Sequence, residues 1–397
     1  MEKVRVVVVG AGAVGLATAL QLSETGRYAV TVLERQHVAE GSSSRSVGII
    51  ETQYVDEFDI AVRAFGLRFA QRLARDAGLR LTANGYLRLA DSEETVESFE
   101  LSVERQREHG IPDARVLTSG EVEKLVPFID MSGRAGGLFG PSDGFVDGHL
   151  FTNLMGDLAR RNGVQVNQRT RLRGASWEPG GAAVLATDRG EVAADYVVNA
   201  AGAWAGEVGD ILGAPVTVRP QRHQAVTVIL DRPLGRLVPS VMDYVPGSGR
   251  PGLYLRPEGQ TKFFAGLHSE EALPGETNPD DWSGAVDPAF VEEIAESLAQ
   301  RFTGHDSARL GQGWAGLFPM SADSHPVVGP HWSNERVICA LGAGGNGIQL
   351  APAIGRTVLD CLDGARPAFA GPGSAWDPAR LAAPSHAGSN RQGGTEL

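Results

Sequence analysis

Cysteine is scarce: Cys339 and Cys361 are the two in 397 residues, and they do not form a metal-site spacing. So few thiols in a chain this long point to a reducing compartment. Each reads as a small buried hydrophobe rather than a reactive group. Basic runs are missing as well. The 36 Lys and Arg are outnumbered by 48 Asp and Glu, for a formal charge of -12. That balance argues against nucleic acid or anionic lipid as a partner. No stretch approaches the about 20 apolar residues that a membrane helix requires, and no charged leader precedes a long apolar run. A cytoplasmic protein is expected. No internal repeat is visible. What remains is ordinary for a globular chain, 42% apolar and 21% charged, and long enough for two or more domains.

The most informative stretch runs from Val4 to Gly15, where four successive valines lead into Gly10, Gly12 and Gly15. An apolar helix from Leu16 to Leu22 follows, and Glu34 closes the next strand, Ala29 to Leu33. A dinucleotide needs this order. The first glycine turns tightly, the second lets main chain approach a pyrophosphate, and the third lets helix pack on strand. The helix N-terminus then faces the phosphates, and Glu34 would accept hydrogen bonds from ribose hydroxyls.

Strand-helix patterns recur at Ala194 to Leu212, with Tyr196-Val197-Val198-Asn199 as a buried strand, and at Arg336 to Leu362. These distant segments suggest one parallel sheet. Residues 57 to 76 read as an amphipathic helix, 86 to 90 as a strand, and 93 to 109 as a charged helix. From 221 to 268 the texture changes to alternating strands: Gln224 to Ile229, Gly252 to Arg256 and Lys262 to Leu267. Turns at Pro246-Gly247-Ser248-Gly249 and Pro257-Glu258-Gly259 bound them. An antiparallel sheet in a second, inserted domain is expected. The tail from about Pro367 is rich in Gly, Pro, Ser and Ala, and predicts disorder, at least from 384 onward.

Several motifs in order resemble the D-amino-acid oxidase superfamily of FAD-dependent oxidoreductases, nearest its glycine oxidase and sarcosine oxidase branch. They are Gly10-Ala11-Gly12-Ala13-Val14-Gly15 with Glu34-Arg35; Gly41-Ser42-Ser43-Ser44-Arg45-Ser46-Val47-Gly48; Val198-Asn199-Ala200-Ala201-Gly202-Ala203-Trp204; Met320 to Gly329; and Gly342-Ala343-Gly344-Gly345-Asn346-Gly347-Ile348-Gln349-Leu350. The resemblance covers roughly 1 to 365. It implies a doubly wound α/β domain for FAD over 1-84, 145-220 and 320-366. A substrate domain would span 85-144 and 221-319, with a partly disordered tail over 367-397. It implies that FAD touches residues of these motifs, with Leu172 added. A Gly/Ser loop brings main-chain N–H groups close without side-chain clash. The helix opened by Gly347 would turn its positive end to the flavin edge that becomes anionic on reduction. Some members bond FAD through His or Cys; the matching positions here are Arg45 and Gly316, so non-covalent FAD is expected.

The implied activity is oxidation of the C–N bond of a primary or secondary amine or amino acid to an imine, by hydride transfer to flavin N5 and then to O₂ or another acceptor. The candidate catalytic residues are His268, Tyr254, Glu51 and Gln349. His268 matches an active-site His of sarcosine oxidases, Tyr254 could close the pocket, and Phe318 would be an apolar wall. Arg256 is a possible carboxylate partner, with exposure at a strand end the alternative. Two cations that would hold a substrate carboxylate in that branch are replaced by Glu51 and Gln349. The substrate is therefore expected to present a cation or neutral polar group to Glu51, or to bind its carboxylate elsewhere. Glu51 pointing to solvent or pairing with Arg45 is the plainer reading. A lysine that promotes reaction with O₂ is replaced by Phe264, with Lys262 two residues away on the same face. Other readings stand beside this one: a 2-hydroxy-acid dehydrogenase, a nicotinamide dehydrogenase, or a flavin-carrying subunit of a heteromeric complex.

Overall fold

The computed structural model of the chain describes residues 2–245, 251–268, 277–305 and 307–382. The turn expected at 246–249 lies outside them. Val4–Val9 is apolar on both faces of the strand, and Val6, Val7 and Val8 are fully buried. Such a strand suits the middle of a parallel sheet covered on both sides. It pairs in parallel with Tyr28–Leu33 on one side and Tyr196–Asn199 on the other. Gln165–Asn167 and Asn334–Leu341 extend the sheet in parallel, and Val327–His331 closes one edge antiparallel.

The helices Ala13–Glu24, Glu57–Ala77, Gly148–Arg161 and Gly347–Leu362 pack through Leu16, Leu20, Leu67, Phe151 and Ile354 into the core on one face. On the other face, Val7, Val9 and Val197 meet Leu172 and Leu185 of a small three-stranded antiparallel sheet, Leu172–Trp177, Ala183–Thr187 and Gly190–Ala194.

The second large sheet has eight strands, in the order Arg309–Met320, Arg219–Ile229, Lys262–His268, Gly252–Pro257, Ser240–Asp243, Tyr86–Ala90, Gly136–Gly140 and Arg115–Thr118. All its pairings are antiparallel except that of Ser240–Asp243 with Tyr86–Ala90. Alternation sends Leu87, Leu89, Val226, Val241, Leu255, Phe263 and Ala265 into one core, where Ile294 and Leu298 of the helix Pro288–Arg301 cover them. The opposite face is left to present side chains.

Residues 367–382, the part of the tail before 384, are ordered. Trp376 is buried and meets Phe58 edge-on with centroids 5.2 Å apart. Its carbonyl accepts the Val328 N–H, and Arg380 pairs with Asp323 at 2.7 Å. One large aromatic anchors a Gly- and Pro-rich segment whose composition offers no other clue. The rest of the tail lies outside the described residues. No described helix is long and apolar enough to cross a membrane.

Candidate flavin cleft and substrate site

A cleft with roughly 1670 Å³ of open space runs between the two large sheets. Its walls come from both ends of the chain. Gly10, Gly12, Ala13, Val14, Glu34 and Arg35 line it from the N-terminal unit, and Ser42, Ser43, Arg45 and Val47 from the following loop. Leu172, Ala201, Gly202 and Trp204 line it from the middle, and Gly344, Gly345, Gly347 and Ile348 from the C-terminal turn. Tyr254, His223, Trp314 and Phe318 of the eight-stranded sheet close it.

The N-terminal glycines are fixed by close main-chain approach. Gly10 has φ +108°, and a Cβ there would lie 2.5 Å from the Ala200 carbonyl oxygen. A Cβ on Gly15 would lie 2.0 Å from the Gly10 carbonyl oxygen, so Gly15 supports the turn from behind rather than lining the cleft. Glu34 is held by main chain: its carboxylate accepts the N–H of Ala11 at 2.9 Å and of Gln36 at 2.8 Å. Ser43 Oγ accepts the Ala13 N–H at 2.9 Å, whereas Ser44 donates to the Gly41 carbonyl at 3.3 Å and stays out of the cleft. Gly48 also stands behind the wall, where a Cβ would meet the Val146 carbonyl. At the rim, the Arg35 guanidinium lies 4.1 Å from the Trp204 ring centroid and pairs with Asp280 at 2.7 Å.

The helix ends show what the cleft is fitted to hold. Asp56, Ser92, Thr118 and Asp147 cap the helices Glu57–Ala77, Glu93–Glu108, Ser119–Leu125 and Gly148–Arg161 with their side chains. Gly12 and Asn346, which open two of the helices at the cleft, provide no such cap, as Trp204 provides none for Ala205–Ile211 beside it and Asp287 none for Pro288–Arg301. Uncapped N-termini beside glycine main chain accept an anion, such as a pyrophosphate or an anionic ring edge. The residues present therefore fit FAD.

Beside the C-terminal turn, Gln349 and Asn346 act on protein rather than on the cleft. Gln349 donates to Asn346 Oδ1 at 2.9 Å, and its Oε1 accepts the Glu51 N–H at 3.1 Å. Glu51 is 3% exposed, which corrects the reading that it points to solvent or pairs with Arg45. Its carboxylate accepts the Gln53 N–H at 2.7 Å. Arg45 turns the other way, donating to the Gly41 carbonyl at 2.9 Å. Behind Glu51, burial first and the Glu51 charge second push Asp143 well above the usual carboxylate range.

On the sheet, Tyr254 reaches the cleft and His268 does not. His268 sits at the strand end, more than a third exposed, edge-on to Tyr244 with centroids 4.7 Å apart. The histidine at the cleft is His223, which motif reading misses. It stacks on Phe318 with centroids 3.8 Å apart, and its Nε2 is buried with no partner. The available signal was phase: His223 stands two residues before Ala225, the cross-strand partner of Gly266, on the face that bears Tyr254. Arg256 is 5% exposed and paired with Glu258 at 2.7 Å, so it is neither exposed nor free to hold a ligand. Phe264 meets Trp314 edge-on with centroids 4.9 Å apart, and Lys262 is exposed and away from the cleft.

The family model described as DAO, FAD dependent oxidoreductase, matches residues 5–360. The mitochondrial dimethylglycine dehydrogenase of Rattus norvegicus is 27% identical over 93% of this chain and 44% of its own length. The chain thus spans under half the length of that relative. The glycine oxidase of Geobacillus kaustophilus is 26% identical over 92% of this chain and 94% of its own. Among solved structures, L-proline dehydrogenase from P. horikoshii superposes with a TM-score of 0.83 at 25% identity, covering 96% of this chain and 98% of that one. With a matching profile along most of its length and a cleft fitted to a dinucleotide, the chain belongs to the DAO family of FAD-dependent oxidoreductases.

Proposed function

We propose that this chain oxidises the C–N bond of a primary or secondary amine or amino acid, with FAD held non-covalently in the cleft. FAD, when bound, supplies the acceptor for the hydride. Gly10, Gly12, the Ser42–Ser43 loop and Gly344 to Ile348 would hold it through main chain, with Glu34 at the ribose. The domain division expected from sequence is part of this proposal: the parallel sheet carries the cofactor, and the eight-stranded sheet faces the substrate.

The observation that carries the reading is the end wall of the cleft. Burial holds the Tyr254 phenol up at about 12 and pushes the His223 imidazole down to about 4, so both are uncharged near neutral pH. An amine must shed its own charge before it can give up a hydride, and an uncharged, poorly solvated wall favours that form. The unpartnered Nε2 of His223 can accept a hydrogen bond from the substrate N–H, and Tyr254 and Phe318 exclude water around it. Arg45 and Gly316 stand where other members would attach the cofactor, and neither can form that bond. No lysine lines the cleft among the described residues, which favours an acceptor other than O₂. Both thiols are pushed up by burial, Cys339 to about 12 and Cys361 to about 11, which fits unreactive cysteines in a reducing cytoplasm.

The purified protein should be yellow, release its flavin on denaturation, and bleach anaerobically with a subset of amines or amino acids. A colourless protein that never takes up added FAD would overturn the reading. Flavin that stays with the polypeptide in a denaturing gel would overturn non-covalent attachment. Peroxide formed under air, set against turnover with an artificial acceptor, separates oxidase from dehydrogenase.

A further inference from the structure

Residues 367–382 lie beyond residues 5–360, which the DAO family model matches, yet they are docked on the cofactor-bearing half. Phe369 meets Phe65 and Trp376 meets Phe58, both edge-on with centroids 5.2 Å apart. Phe58 and Phe65 are seven residues apart on the helix Glu57–Ala77, two turns along one face. The segment therefore runs back along that helix. It then crosses the edge of the parallel sheet, where the Trp376 carbonyl accepts the Val328 N–H at 2.9 Å. Pro378 follows, so close that a Cβ on Gly329 would lie 3.3 Å from its Cδ. The buried aromatics are enough to hold the segment down. They do not account for the residue that it delivers next, Arg380.

The Arg380 guanidinium forks onto Asp323, Nε donating to Oδ2 at 2.7 Å and Nη2 to Oδ1 at 2.9 Å. Nη2 also donates to the His325 carbonyl at 2.9 Å. A two-point pair of this kind fixes direction as well as distance. Its target is the turn between the strands Arg309–Met320 and Val327–His331. That turn needs holding: Ser324 has φ +64°, in the left-handed region that residues with a Cβ seldom adopt. Asp323 accepts the His325 N–H at 3.3 Å, and Ser321 Oγ donates to the His325 carbonyl at 2.6 Å. The other side of the turn rests on the cofactor turn. A Cβ on Gly342 would lie 3.1 Å from Ser321 Cβ and 3.3 Å from the His325 carbonyl oxygen. Gly342 opens the cleft-lining run that leads into the uncapped helix Gly347–Leu362. One carbonyl, that of His325, is thus gripped by Arg380 and set against Gly342.

We infer that Arg380 is a positioning residue for the cofactor: through Asp323 and His325 it sets where the turn at 342–347 stands, and with it the helix end at the cleft. This rests on FAD lying in the cleft and is independent of which substrate is oxidised. A positive helix end stabilises the anionic, reduced flavin edge more than the oxidised one. Loosening the turn therefore lowers the reduction potential of bound flavin as well as its affinity.

The test uses the full-length protein and variants with single changes. Arg380→Gln should weaken FAD binding about 5-fold in a titration of apoprotein, the upper end for an ion pair that keeps some contact with water. It should also lower the midpoint potential of the bound flavin. Arg380→Lys, which keeps the charge but not the fork, should fall between. Once Arg380→Gln is made, adding Asp323→Asn should weaken FAD binding little further, because both changes remove the same pair. Arg5→Gln is the control: it breaks a two-point pair with Asp195 in the same half but away from the cleft. It should lower the melting temperature and leave FAD affinity and potential as in wild type. An unchanged potential in Arg380→Gln overturns the inference, whatever the affinity does. An equal loss in Arg5→Gln also overturns it, since general loosening would then suffice. If wild type takes up no FAD, the cofactor reading falls and the brace falls with it.

Discussion

The two large sheets meet the cleft in different ways. The parallel sheet approaches it largely with main chain: Gly10, Gly12 and Gly344 bring N–H groups and helix ends to the surface, with side chains such as Glu34, Ser43 and Trp204 placed around them. The eight-stranded sheet approaches it with side chains, Tyr254, His223 and Trp314. Main-chain recognition requires particular glycines at fixed spacing. Side-chain recognition requires only a face in the correct phase. The first therefore leaves a motif and the second does not.

This contrast can be broken at its strongest point. Alanine at Gly15 would place a Cβ 2.0 Å from the Gly10 carbonyl oxygen, and that peptide is main chain that cannot step aside. Gly15→Ala should cost roughly 3 kcal/mol of stability, the scale of core overpacking, and abolish flavin uptake. Thermal melting and the visible spectrum check both, and normal loading would mean that side chains, not main chain, shape this half. On the other sheet, a Cβ on Gly266 would lie 2.2 Å from the Tyr254 hydroxyl. Gly266→Ala should retain flavin but lower turnover about 100-fold by shifting that ring. Loss of flavin with unchanged turnover per flavin would reverse the division of labour.

A smaller effect is expected at Glu34, one of the few side chains the first half commits to the cleft. Glu34→Gln should weaken FAD binding ~10-fold in a titration of apoprotein, because a charged acceptor becomes a neutral amide. The smallest concerns pH. The folded His223 imidazole titrates at about 4 against an ordinary 6.5, so the unfolded chain binds more protons between these values. Its contribution is fully present above about 6.5 and is lost as pH falls towards about 4. Urea unfolding across that range should show a shallower acid loss for His223→Asn than for wild type. An identical slope would mean that the imidazole is not desolvated by the cleft wall.

How much was legible follows the same line. The strands Val4–Val9 and Tyr196–Asn199 and the helix Gly347–Leu362 were readable because apolar runs and glycine turns have local causes. Ordering of 367–382 was not, because a single tryptophan, Trp376, decides it through contacts made far along the chain. Glu51 looked free to meet a ligand from its position in a motif, yet Gln349 and Asp143, distant in sequence, and Arg63 of the following helix define its buried surroundings. His268 ends its strand whereas His223 lies within Arg219–Ile229; the pairing register puts both in the phase of Tyr254, and only the tertiary structure shows that His223 is the one lining the cleft.

The chain's own order of residues determined the cofactor half: valine runs, glycine spacings and an acid at a strand end act over a few positions and need no partner to be recognised. The substrate half was decided by folding. Which of Tyr254, His223, His268 and Arg88 share a face and a row depends on ladders between strands, of which Tyr86–Ala90 with Ser240–Asp243 joins segments more than a hundred residues apart, and hydrogen-bond register is a property of paired strands rather than of either strand alone.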